Sequence, residues 1–422
     1  MHILLFILYS VAGCYAIVRL PFFRNSGLRP GVLLLLFALH VGTGCLHNVI
    51  AWHFYPNHGD IWTYYQDSIS TWHELRMDFH AFLRDNSTWN YYTHNSLVNI
   101  HLMLNFFSRE NLYIDTLLFS FPVFLGTTAL FRVFRRHFPD STLTALSAYL
   151  LPSVLFWTSC VHREGALFMF LGLFLYSLDR LSSAPAVASP VGPSAPLPVG
   201  PLAPPCLGRP SDFRALLSAA LFFLLIAYFR AAVALTLVPA LIIQWWPSLP
   251  ARLKRKKWLL TGVIGGLIVL VLAGPLLLKA LAQQQESFQV LKGNSRINLP
   301  VLDGTPASLL HTLPAAMLNG WFEPLPGTGG QKIYGIFSIE LLLIWAVVVL
   351  ALLRRPALSS FSIGCILFAL LGMLLVGLIV PFVGAIVRYR SIYLPFVLAP
   401  FLYHLCKTPL LRRFDQWTTH KL

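Results

Sequence analysis

Three consecutive ionisable residues, His162-Arg163-Glu164, interrupt the apolar stretch PSVLFWTSCVHREGALFMFLGLFLYSLDR at positions 152–180. Charged groups such as these cost about 2.5–3.5 kcal/mol each at the centre of a membrane helix on insertion scales, and less toward its ends, unless paired or hydrated, so their retention points to use. A guanidinium makes two parallel hydrogen bonds to phosphate oxygens. A carboxylate within reach of a hydroxyl can take its proton. The same two residue types recur at Asp60 and Asp67, at Arg230 between two apolar runs, and in Arg388-Tyr389-Arg390 before the last run. Asp60 and Asp67 are seven residues apart, about two helical turns, and so share a face of any helix spanning them. Cations beside a leaving phosphate stabilise the charge that develops on it. The chemistry implied is transfer from a phosphate-bearing lipid to a hydroxyl acceptor. Each residue also has a structural alternative: an N-cap for Asp60, an ion pair for Arg163 and Glu164, head-group anchoring for Arg388 and Arg390, and a bond to a neighbouring helix for Glu340. His94, His101 and His311 show no metal-ligand spacing.

The elements that would position these groups are helices in a bilayer. Of 422 residues, 56% are hydrophobic and only 11% charged, against about a quarter charged in soluble domains. The mean hydropathy is +0.67. Continuous apolar runs exclude a barrel, whose strands alternate. The fold class is therefore all-α, a polytopic transmembrane helical bundle. About eleven spans are predicted, near 2–19, 31–51, 112–131, 142–160, 164–179, 213–229, 231–247, 258–278, 336–353, 360–380 and 391–406. The net charge of +15 lies mostly in short alternate loops, from Arg24 and Arg29 to Lys407, Arg412 and Arg413. That is the positive-inside pattern rather than a nucleic-acid surface. It predicts the N-terminus outside and the C-terminus in the cytoplasm.

A Pro/Ala-rich segment at 182–212 separates an N-terminal transmembrane half, 1–181, from a C-terminal half, 213–422. Each half carries one long outer loop, 52–111 and 279–335. The tail of the first, NSLVNIHLMLNFFSREN, reads as an interfacial helix; Pro and Gly in the second argue for irregular structure. The six cysteines form no C-x-x-C and read as small buried hydrophobes.

Three segments carry a family resemblance: GDIWTYYQD with Asp60, the LPSVLFWTSCVHREG hairpin, and the late VRYRSIYLPFVLAPF. Together they resemble the GT-C superfamily of integral membrane glycosyltransferases, and more closely uncharacterised bacterial relatives of surface-polysaccharide type. In those, P-S-x-x-F-W-x-S is followed within a few residues by Lys-Glu; here the pair is Arg163-Glu164. The resemblance implies transfer of a sugar from a polyprenyl-phosphate-linked donor to a glycan or lipid hydroxyl, at the outer face of a bacterial cytoplasmic membrane. It implies Asp60 as the acceptor-side base, with Glu164 and Asp67 as further candidate catalytic acids. His162, Arg163, Arg230, Arg388, Tyr389 and Arg390 are the candidate substrate-binding residues. Many relatives have two adjacent acids in the first outer loop, whereas Ile61 follows Asp60, so neither a metal nor another cofactor is predicted. A surface-polysaccharide polymerase and a lipid-linked-saccharide flippase remain alternatives. A transporter would place its charges at midplane and repeat its topology, while these polar residues gather at one face.

Overall fold

The structure is a computed structural model and describes residues 1–55, 59–77, 96–139, 141–182, 210–245, 274–291, 293, 295–327, 333–408 and 411–412. In chain order the helices are α1 (His2–Arg19), α2 (Pro21–Arg24), α3 (Pro30–Phe54), α4 (Gly59–Met77), α5 (Ser96–Ser108), α6 (Leu112–His137), α7 (Thr142–Leu150), α8 (Pro152–Thr158) and α9 (Arg163–Ser182). The second half contributes α10 (Pro210–Phe229), α11 (Ala231–Trp245), α12 over 274–289, α13 (Pro306–Phe322), α14 (Tyr334–Leu352), α15 (Ser360–Ile379), α16 (Val383–Arg390) and α17 (Leu394–Cys406). The fold is all-α, as expected. Linker residues 183–209 and His94 lie outside the described residues.

Among the described residues five helices are long and apolar enough to cross a membrane: α1, α3, α6, α14 and α15. The pair α16–α17, bent by 59°, would make a sixth. The expected eleven spans are therefore too many, and the reasons are local. The run at 142–160 breaks at Leu151, whose extended backbone precedes Pro152 at the first position of α8. The runs at 213–229 and 231–247 form only short apolar helices, and most of the run at 258–278 lies outside the described residues. The chain is a helical protein with several candidate membrane spans. On α1, Ile3, Leu4, Ile7, Leu8 and Val11 are all exposed, an apolar surface that water does not favour and lipid does.

α6 is the central element. Asn111 caps it, its side-chain oxygen accepting from the backbone N–H groups of Tyr113 and Ile114 at 3.1 Å. Arg135, Arg136 and His137 occupy its last turn, where cations suit the exposed carbonyls. α9 packs directly on α6 because both helices are small at the crossing: a Cβ on Gly172 would overlap the Gly126 carbonyl, and one on Gly126 the Met169 backbone. A second close crossing joins α13 to α15, where a Cβ on Gly320 or Gly377 would strike backbone.

The first outer loop folds as α4 and α5. Asn105 of α5 donates to the Ser68 hydroxyl of α4 (3.0 Å), and Tyr65 of α4 donates to the Glu110 carbonyl (2.8 Å). His101 of α5 meets Asp115 of α6 at 3.0 Å with both side chains fully buried, so this histidine has a structural partner that spacing did not reveal. The segment 279–335 is more helical than its Pro and Gly content predicts. Thr305 caps α13 by accepting from Ser308 N–H, and Pro306 opens the helix. The strand-like stretch before it pairs with the entrance to α16: Ile297 N–H donates to the Pro381 carbonyl (2.8 Å) and Val383 N–H to that of Ser295 (2.9 Å).

Candidate functional site

The start of α9 is where the chemistry-bearing residues converge. The turn Ser159–His162 delivers Glu164 to the first turn of α9, a position that favours a carboxylate. Ser120 of α6 holds that turn by donating to the Ser159 carbonyl (2.9 Å). Glu164 is fully buried, and both of its oxygens are engaged: Oε1 accepts from Arg230 Nη2 at 3.2 Å and Oε2 from Arg388 Nε at 2.8 Å. Arg388 also donates through Nη1 to Asp60 Oδ2 at 2.9 Å. One guanidinium thus links carboxylates on α4 and α9. Residues 60 and 388 are 328 positions apart in the chain.

The two carboxylates differ in surroundings. The Asp60 side chain is 61% exposed, whereas that of Glu164 is at 0%. Asp60 is open to an incoming hydroxyl. Glu164 is fully buried, with both oxygens taken up by Arg230 and Arg388. Arg230 sits at the break between α10 and α11, its guanidinium 3.8 Å above the Tyr389 ring. That places Tyr389 under a cation as a packing surface. Arg388 also faces the rings of Tyr389 (5.6 Å) and Trp157 (5.8 Å). Arg163 is half-buried with its Nε unpartnered. Tyr64 of α4 reports on the field: burial pushes its phenol up, Asp60 adds to this, and Arg163 and Arg388 pull it down. Asp60, Arg163 and Arg388 therefore act on one neighbourhood. Three guanidinium groups against two carboxylates leave one net positive charge there, which suits an anion.

The other expected site residues stand outside that linked set. Asp67 is half-buried on α4, two turns and about 10 Å along the axis from Asp60. Arg390 is two residues from Arg388 on α16 and so faces away from it. It is buried and donates to the carbonyls of Gly320 and Glu323 at the end of α13, a helix C-terminus that attracts cations. Glu340 accepts from both the N–H (3.1 and 3.2 Å) and the hydroxyl (3.1 Å) of Ser153, closing the N-terminus of α8. This is the neighbouring-helix role weighed for it above. His162 is buried, its ring centroid 5.1 Å from that of His47 on α3. Burial and the nearby Arg388 hold its imidazole neutral, well below the usual histidine range.

Trp157 and His47 are neighbours of the site that the sequence did not single out. Trp157 lay inside a motif as an apolar residue, and His47 inside an apolar run without any spacing signal. A cleft of about 610 Å³ lined by Asn25, Arg132, Arg136 and Arg180 lies at the other end of α9. Its arginines belong to the basic ends of α6 and α9, where Arg136 pairs with Asp179 at 3.0 Å. It shares no residue with the convergence around Glu164. No protein-family model, curated protein or solved structure matches the chain.

Proposed function

We propose that this chain is a membrane glycosyltransferase of GT-C type. It would move a sugar from a polyprenyl-phosphate-linked donor to a hydroxyl acceptor at the outer face of a bacterial cytoplasmic membrane. The observation that carries the reading is the linked set Asp60–Arg388–Glu164–Arg230, an exposed carboxylate held beside guanidinium groups. In the reaction the acceptor oxygen bonds to the sugar's anomeric carbon as the bond from that carbon to the lipid phosphate oxygen breaks. The acceptor proton passes to Asp60, and the lipid phosphate leaves with the electron pair. Arg388 and Arg163 would face the negative charge that grows on the leaving phosphate. Glu164 holds Arg388 and Arg230 in place, since unopposed cations repel one another.

Asp60→Asn is the direct test in proteoliposomes supplied with labelled polyprenyl-phosphate sugars. The amide keeps the shape but accepts no proton, so the rate should fall about 10²–10⁴-fold. Stability should change by less than about 1 kcal/mol, because a pair with one exposed partner contributes little. An unchanged rate in the variant would remove Asp60 from its assigned role. No transfer by wild type from any monophosphate-linked sugar would overturn the transferase reading itself. A polymerase would instead require a pyrophosphate-linked oligosaccharide.

A further inference from the structure

Near the Arg388–Glu164 pair, across the Trp157 ring, lies a second set of groups that the proposed transfer chemistry does not use. His47 of α3 and Cys160 and His162 of the turn before α9 place their ligand atoms within 4.8 Å of one another. Their exposures are 1%, 0% and 2%. The convergence is built by close packing. Gly44, nearly one turn before His47, lets α3 approach so closely that a Cβ there would overlap the Ser159 carbonyl. The three side chains are poorly satisfied. Neither Nδ1 nor Nε2 of His47 has a hydrogen-bond partner, nor has Nδ1 of His162. The Cys160 thiol has only the Phe156 carbonyl, at 3.7 Å. Around them are the rings of Tyr55, Phe156 and Trp157. Buried imidazole nitrogens without partners are costly in such surroundings unless something accepts their lone pairs.

We propose that His47, Cys160 and His162 bind a thiophilic d10 metal ion, Cu⁺ or Zn²⁺. Two imidazoles and one thiolate, with no oxygen donor, select soft or borderline ions over Mg²⁺ or Ca²⁺. With metal–nitrogen bonds near 2.0–2.1 Å and a metal–sulfur bond near 2.3 Å, bound donor atoms stand roughly 3.5 Å apart. The set therefore needs to close by only about an ångström. Arg388 lies over the Trp157 ring (5.8 Å), which packs against both His47 (5.2 Å) and His162 (6.0 Å). The bound ion would tie α3 to the turn that aims Arg163 and Glu164. The inference stands independently of the transferase reading.

The test uses the full-length protein in detergent, carrying no polyhistidine tag, stripped with chelator and reloaded anaerobically with Cu⁺ or with Zn²⁺. After gel filtration, one ion per chain is expected in at least one arm, and the arm that fills identifies the metal. Cys160→Ser and His47→Asn should each lower occupancy at least tenfold while eluting as wild type does. A wild-type titration with Co²⁺, followed by its thiolate charge-transfer absorption, needs no variant to fold. Absence of that band together with no retained Cu⁺ or Zn²⁺ would overturn the site, as would equal retention by Cys160→Ser.

Discussion

Arg388→Met is expected to destabilise the purified protein by about 3–5 kcal/mol, because removing one member of a buried ion pair strands the other. Glu164 would keep only Arg230, at 3.2 Å, and its second oxygen would face an apolar side chain at full burial. Arg388→Lys should fall between the two, since one ammonium cannot bridge Asp60 and Glu164 as Nε and Nη1 now do. The measurement is denaturant or thermal unfolding in detergent for wild type, both Arg388 variants, Glu164→Gln and the double variant Arg388→Met/Glu164→Gln. If the residues act as one unit, the double variant loses less than the sum of the singles. Additive losses would mean that the pair is not formed in the folded protein.

Gly172→Val should also be damaging, for a different reason. At this crossing two backbones touch, and a branched side chain on Gly172 would meet the Gly126 carbonyl and the Leu130 N–H region of α6. Overpacking of this kind costs about 1–3 kcal/mol, occasionally more, and backbone cannot yield as a flexible side chain can. α9 would be pushed away from α6, and Glu164 lies only about two turns up the same helix. Transfer activity and thermal midpoint should therefore fall together. Gly42→Ala is the matched control: nothing lies within 4 Å of a Cβ there, and alanine favours a helix by about 0.8–1.0 kcal/mol over glycine. That variant should be neutral or slightly more stable. Loss of stability in Gly42→Ala equal to that in Gly172→Val would contradict this helix crossing.

Much of the arrangement is legible in the sequence, and the cost of burying charge is the reason. In a chain this apolar, each ionisable residue away from the basic loops stands out, which is how Asp60, Glu164, Arg230 and Arg388 were chosen. The same logic could not separate Arg388 from Arg390, which have the same type and nearly the same place in the chain. Their fates differ because two residues on a helix face opposite ways: one meets Glu164, the other the end of α13. Glu340 was similarly ambiguous until α8 supplied a helix terminus for it. Span counting failed where composition overlooks geometry, at Leu151–Pro152 and at the apolar stretches Phe213–Phe229 and Ala231–Gln244, which fall short of a span.

Composition and periodicity by themselves determined that this protein is helical, apolar enough to enter a bilayer, and furnished with a small set of anomalous charges. Those properties are sums over neighbours in the chain, so any linear reading recovers them. Tertiary structure alone decided the partners: Asp60 with Arg388 across 328 residues, Glu164 shared between two arginines, and His47 beside a turn more than a hundred residues away. These pairings depend on how closely helices can approach, and that is set by glycines such as Gly44, Gly126 and Gly172 meeting backbone from another part of the chain.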